Sequence, residues 1–429
     1  MAAISFALLI LSWGWAVCVG EDSTAWRWSV LGIAAAGVML WGFAREKARF
    51  RKADCILLAV VLALGVLQLV PLPLAAIRWI SPHRYEQLAA ASRVLGPIRS
   101  ATLSSVPAGT RDKVLTLAAF AIAYLVLCEL RRRYDARPWA LAAPILAVGL
   151  LQAVLGIAQC AAGAAEATGT YVNRNHFAGL LEMSLPFAVM LGVELLTRER
   201  DHPRSLVVPE IQACLCFGAG AVMIASVIGS QSRMGFAASL AALFVIGVLA
   251  ASGRSRAHAS RRRRALALAV TGAAILLAFL LLPSEKLMDR FRTLAGPDTQ
   301  KVRTDIWKQT LPLIADYPAM GCGLGAFESC FLPYKNLIPE GSIDYAHNDY
   351  LQVMAEFGLP AFGCLAALAA LAYGTALRRT GAGNPGRCLA IACVGALSAI
   401  LLHGFVDFNL YIPANGLLAV WVAAMGREA

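Results

Sequence analysis

Charge is scarce in this chain. Asp, Glu, Lys and Arg make up 15% of its 429 residues, where soluble globular domains carry about 25%. Acidic residues are the scarcer sign, 26 against 38 basic ones. There is no CxxC pair, no HExxH, no paired acidic DxD and no His/Cys spacing suited to zinc, so no metal or other cofactor is expected. A glycine-rich P-loop is also missing, which excludes ATP as the energy source. No internal repeat or low-complexity tract is visible. Short alternating polar and apolar segments of about 10 residues are lacking too, which excludes an outer-membrane barrel.

What the chain has instead is apolar length. Hydrophobic residues are 59% of the total, gathered in runs that match the roughly 20 residues a helix needs to cross a bilayer. Twelve spans are expected, at 2–20, 25–44, 55–72, 113–130, 138–160, 177–196, 207–229, 234–252, 265–282, 350–376, 388–408 and 411–427. The first has no basic n-region and no A-x-A site, so it is expected to be a retained helix. The fold class is therefore an all-α integral membrane protein of about 12 transmembrane helices. Residues 1–282 would hold the first nine, with an outer loop at 73–112. Residues 283–349 would form a large helical loop, and 350–429 the last three helices.

The net charge of +12 points to topology and not to nucleic acid. Lys and Arg cluster between spans: Arg45 to Lys52, Arg131 to Arg133 with Arg137, Arg198 to Arg204, Arg254 to Arg264, and Arg378, Arg379, Arg387 and Arg427. The positive-inside rule puts these in the cytoplasm, along with both termini. The long loops 73–112 and 283–349 then lie outside. In the first, Ile77 to Pro82 and Tyr85 to Leu95 could form helices lying in the interface plane. In the second, Val302, Ile306, Trp307, Thr310 and Leu313 recur at helical spacing between Asp298 and Ile314. Most of the 11 cysteines read as small buried hydrophobes. Cys322 and Cys330 fall in the outer loop, where an oxidising compartment would favour a disulfide.

Polar residues near span ends on the outer side are informative, because charge is costly at membrane depth. Asn173-Arg-Asn-His176 opens the sixth span with more ligand-capable side chains than a cap needs, although Asn175 suits an N-cap. Arg233, in the turn Ser230 to Gly235, opposes the positive-inside bias and is placed to bind an anion or a lipid head group. Arg303 and Trp307 lie on the loop helix; a planar guanidinium grips phosphate oxygens in pairs. His347, Asn348 and Asp349 precede the tenth span. Asp349 with Gln352 reads as a capping box, and His347 is left over as a general base titrating near working pH. Asp407 reads as a structural partner for an arginine. Together these residues suit a lipid diphosphate held by arginines, with its sugar presented to the histidine. The displacement at the anomeric carbon would invert configuration.

At these positions the chain resembles the O-antigen ligase and polymerase superfamily. The resemblance is carried by Asn173 to Gly179, Ser232-Arg233, Arg303 with Trp307, Gly321-x-Gly-x-Gly325, His347 to Gln352 with Gly358, and Asp407-Phe-Asn409. It runs from about residue 145 to the C-terminus. It implies a GT-C-type glycosyltransferase of the bacterial inner membrane, metal-independent, with its active site facing the periplasm. His347 would be the base, with Arg233 and Arg303 on the diphosphate. Asn173, Arg174, Asn175, His176, Trp307, Asn348 and Asp349 would bind substrate. The donor would be an undecaprenyl-diphosphate-linked glycan. A polymerase would transfer it to a second lipid-linked saccharide and a ligase to lipid A-core; the full Asn-Arg-Asn-His motif favours the polymerase. A bicarbonate-type transporter is the reading from another class. Its absent repeats and the span-end placing of Glu182, Glu194 and Glu210 count against it.

Overall fold

The structure is a computed structural model that describes residues 1–20, 25–42, 50–197, 209–252, 297–336 and 342–427. Apolar sequence in lipid must satisfy its own backbone, and helices do so within one segment. The chain follows that rule. Helices α1 (Ala2–Val19), α2 (Trp26–Gly42) and α3 (Lys52–Leu67) lead to a short pair, α4 (Leu74–Ile80) and α5 (Pro82–Leu95). Two-residue strands β1 (Leu72–Pro73) and β2 (Ser100–Ala101) pair antiparallel around it. Then come α6 (Pro107–Arg133), α7 (Ala143–Ala161), α8 (Arg174–Thr197), α9 (Pro209–Gly229) and α10 (Arg233–Ser252). After the next described segment begins, α11 (Pro297–Asp316), α12 (Phe327–Phe331), α13 (Asp349–Arg378), α14 (Arg387–His403) and α15 (Pro413–Met425) complete the chain.

A helix occupies every expected span except the ninth, 265–282, which lies outside the described residues. Among the described residues, seven helices are long and apolar enough to cross a membrane, while α14 and α15 are shorter. Two expected spans change shape. The tenth is broken at Gly358, whose φ of 80° and ψ of 169° leave the helix, with Pro360 following. Its first two turns belong to the loop region. The eleventh ends at His403 and not at 408, so Asp407 sits in a loop.

That loop region has a core of its own. Ile306 and Leu313 of α11 pack with Phe327, Phe331 and Ala346. Its glycines have a structural use: Gly321, Gly323 and Gly325 all take positive φ. A Cβ on Gly321 would lie 2.2 Å from the Glu356 backbone. The glycine loop is bonded there, with Cys322 N donating to Ala355 O at 2.9 Å and Gly323 N to Glu356 O at 3.1 Å. Breaking α13 at Gly358 is what exposes those carbonyls. The Gly321-x-Gly-x-Gly325 motif is therefore a clasp on the broken helix. Cys322 and Cys330 are both buried and both free thiols, so the expected disulfide is not present.

The ends of the bundle differ in charge. Arg131 to Arg133, Arg378, Arg379, Arg387 and Arg427 lie at one end, around the α6 and α13 C-termini and the α14 start. There Arg427 binds Asp54 and donates from Nε to the Tyr124 hydroxyl at 2.7 Å. The segments around Asn173, Ser232, His347 and Asp407 meet at the other end.

Candidate functional site

Four stretches of chain converge there on one carboxylate. Asp407, in the loop between α14 and α15, is 1% exposed. Its Oδ2 accepts from Asn175 Nδ2 at 2.7 Å and lies 3.5 Å from Nη2 of Arg303. Its Oδ1 lies 3.5 Å from His347 Nδ1 and 3.9 Å from His176 Nε2, and accepts from Phe408 N at 3.0 Å. Burial would raise this carboxyl's pKa. The His347 imidazole and the neighbouring His176, Arg303 and His403 more than offset that, holding it well below the usual carboxylate range. Asp407 is thus the arginine partner expected from sequence, and also the point where two histidines meet.

Each surrounding element has a local reason for its position. Helix α8 starts at Arg174 because Asn173 caps it: its Oδ1 accepts from Asn175 N at 2.8 Å. This corrects the expected cap from Asn175 to Asn173 and frees the Asn175 amide for Asp407. Asn175 Oδ1 in turn accepts from Ser232 Oγ at 2.8 Å, which ties the α9–α10 turn to the site. Arg233 is the next residue and opens α10. Arg233 is partly exposed, and no ion pair is seen for it among the described residues. Arg174 is spent on an ion pair with Glu166.

His347 reaches Asp407 from a backbone with φ of 48°, a conformation that side-chain-bearing residues seldom adopt and that clusters at functional sites. Trp307 holds it there from α11, its indole N–H donating to Ala346 O at 3.0 Å. The capping of α13 also differs from expectation. Asn348 is the N-cap, its side chain accepting from Tyr350 N and Leu351 N. Asp349 turns inward, and each of its carboxylate oxygens lies 3.2 Å from Leu410 N. Gln352 reaches back to accept from Ala346 N at 2.6 Å. Asn348 Nδ2 also donates to Phe405 O at 2.9 Å. Asn173, Asn348 and Asp349 therefore build the site's walls.

An aromatic wedge separates the histidines. Phe408 meets His176 edge-on at 4.7 Å and His347 at 5.1 Å, and stacks on Tyr345 at 4.1 Å. Lys113 of α6 lies 5.8 Å from the Tyr345 ring centre and 5.3 Å from that of Tyr411. Neither Lys113 nor this wedge was singled out from sequence. The Asp407-Phe-Asn409 triplet was the one local sign of it. Gly179 shows how tightly α8 is set against the same loop: a Cβ there would fall 2.2 Å from Asn409 Oδ1. Among the described residues no group of three or more His, Cys, Asp or Glu is arranged to hold a metal.

Fold and site define a class: a multi-pass helical membrane protein with histidines, arginines and one carboxylate gathered at one end of its bundle. Within that class, residues 218–366 match the family model described as O-antigen ligase, and the match supports the O-antigen ligase and polymerase superfamily. The matched segment contains Arg233, Arg303, Trp307 and His347, while Asn175, His176 and Asp407 lie outside it. No curated protein matches the chain.

Proposed function

We propose that this protein transfers a glycan from a lipid diphosphate to a saccharide hydroxyl, with undecaprenyl diphosphate as the carrier. The observation that supports it most is the sharing of Asp407 by His347 and Arg303, which come from separate segments. With Nδ1 facing Asp407, His347 has Nε2 left for an acceptor hydroxyl. In this reading the hydroxyl proton passes to Nε2 as its oxygen bonds to the anomeric carbon. The bond from that carbon to phosphate breaks, and the lipid diphosphate leaves with the electron pair. A single displacement inverts the configuration. Asp407 orients the ring and stabilises its charged form, as a buried carboxylate does for a catalytic histidine elsewhere.

Arg233 and Arg303 would hold the diphosphate and stabilise the charge it gains in bond cleavage, so the reaction invokes no metal. Trp307 and the Asn175–His176 edge would line the sugar side. The opposite, arginine-rich end of the bundle supports a cytoplasmic placement of that end and a periplasmic site in a bacterial inner membrane. Between acceptors, the Asn173-Arg-Asn-His176 motif supports a second lipid-linked glycan, making the enzyme a polymerase ahead of a ligase. Purified protein incubated with a defined undecaprenyl-diphosphate-linked repeat should yield dimers and longer products from that substrate alone. Product formed only when lipid A-core is added would make it a ligase. No transfer to either acceptor by folded protein would refute the assignment.

A further inference from the structure

Beneath the site lies a pair of ionisable groups that the transfer chemistry leaves unused. Glu182 of α8 and His403, the last residue of α14, are 0% and 1% exposed. His403 Nδ1 lies 2.9 Å from Glu182 Oε2 and 3.1 Å from Oε1. The other ring nitrogen, Nε2, is buried with no hydrogen-bond partner among the described residues. Among the described residues, Glu182 is the hydrogen-bonding group that orients the imidazole.

Stability is a weak reason for such a pair. Ionisable groups inside membrane helices are expensive and tend to mark function. Replacing a buried ion pair by apolar side chains of similar volume is often neutral or stabilising, so such a pair is weak evidence of a stabilising role. Nor do α8 and α14 need a polar grip, since they already pack closely: a Cβ on Gly395 would meet Pro186 at 3.3 Å.

The pair's position in the chain suggests its use. His403 ends α14 and is followed by a tight turn, Val406 N donating to His403 O at 3.0 Å. Asp407 is the next residue. Asp349 N braces the same turn, donating to Gly404 O at 2.8 Å and to Asp407 O at 3.1 Å. Glu182 lies on the helix that opens with Asn175 and His176, both facing Asp407. The groups around Asp407 are thus His176 and Asn175 from α8, Arg303 from α11, His347 before α13, and His403 from α14. Glu182 and His403 connect α8, which carries Asn175 and His176, to α14, whose C-terminal turn leads into Asp407.

We infer that Glu182 and His403 are a buried positioning pair, fixing α14 against α8 so that Asp407 holds His347 in reach of the acceptor. The inference rests on the transfer reading above. A shift of about 1 Å at a catalytic group can cost about 10²-fold in rate. Attraction between arginine and diphosphate falls only as the inverse of distance. Loosening the pair should therefore lower kcat and leave donor KM nearly unchanged.

The test uses purified full-length protein, an undecaprenyl-diphosphate-linked repeat as substrate, and two variants. One carries Glu182→Met with His403→Leu; the other carries Glu182→Gln. The double variant should match the wild-type Tm within a few degrees, with kcat reduced at least about fivefold and donor KM within about twofold. Glu182→Gln keeps a hydrogen-bonding group and should fall between. Folded variants with wild-type kcat overturn the inference, as does a loss confined to donor KM. Failure of both to fold would assign the pair to stability, and that also overturns it. His347→Ala is assayed beside them. If it remains active the transfer reading fails, whereas inactive His347→Ala beside unchanged pair variants removes this inference alone.

Discussion

Nδ1 of His347 faces Oδ1 of Asp407 across 3.5 Å, with Phe408 wedged edge-on against the imidazole at 5.1 Å. The ring thus turns Nδ1 toward a buried carboxylate and packs against an aromatic face, which limits the orientations open to it. That relationship makes Asp407 as consequential as the histidine itself.

Asp407→Asn should therefore cut transfer by about 10²-fold or more while the protein still folds. The pH dependence follows from the sign of the shift. A carboxyl held below its ordinary value adds stability above the unfolded value, about 3.9, and loses it only as pH falls through the lower folded value. From pH 5 to 8 Asp407 is fully charged. The stability advantage of wild type over Asp407→Asn should therefore persist down to pH 5; a Tm difference that vanishes toward pH 5 would show that Asp407 is being protonated there.

Arg303→Ala and Arg233→Ala should each weaken donor binding as well as turnover. Each removes charge proposed to face the diphosphate. Arg303→Ala should cost more in rate, because it also releases one of Asp407's partners. Lysine at either position should rescue only in part, since a point charge cannot reproduce a bidentate fork. Titration with lipid-linked donor and single-turnover rates separate the two effects.

Much of the architecture is legible from sequence because the bilayer demands it. Uninterrupted apolar length reads directly as a helix, and the polar ends stand out against it. Arg233, Arg303 and His347 stood out in the sequence this way. Asp407's place at the centre was not, because the meeting of α8, α11 and the α13 and α14 ends is a tertiary fact with no periodic signature. Glu182 read as a span-end acid, although its partner His403 lies 221 positions away and only packing brings them together. The break in α13 was written in Gly358 and Pro360, yet apolar length alone carried the expected span across it.

Gly358→Ala tests that break. At φ of 80° an added Cβ would lie 2.6 Å from Ala319 O, and a strained left-handed residue costs about 1–3 kcal/mol before any clash. The variant should lose several degrees of Tm or fail to accumulate as monodisperse protein. Gly363→Ala, with nothing within 4 Å of its Cβ, should behave as wild type. Equal thermal stability of the two in detergent would contradict the clasp between the glycine loop and α13.

Orientation has its own check. Asn336 is exposed, and its backbone N–H donates to Gln309 Oε1 at 2.8 Å. A cysteine placed there should react with an impermeant maleimide in intact cells. Labelling only after lysis would put the site on the cytoplasmic side and undo its assignment to a periplasmic donor.

The most direct measurement is transfer by purified His347→Ala, given an undecaprenyl-diphosphate-linked repeat and each acceptor in turn. A general base contributes about 10²–10⁴-fold and acts on the acceptor's proton, not on the donor. The account predicts folded protein that binds the lipid-linked donor almost as well as wild type and forms product at least about 10²-fold more slowly. Product at the wild-type rate from folded His347→Ala would contradict it, and His176, on the same carboxylate oxygen, would become the candidate base.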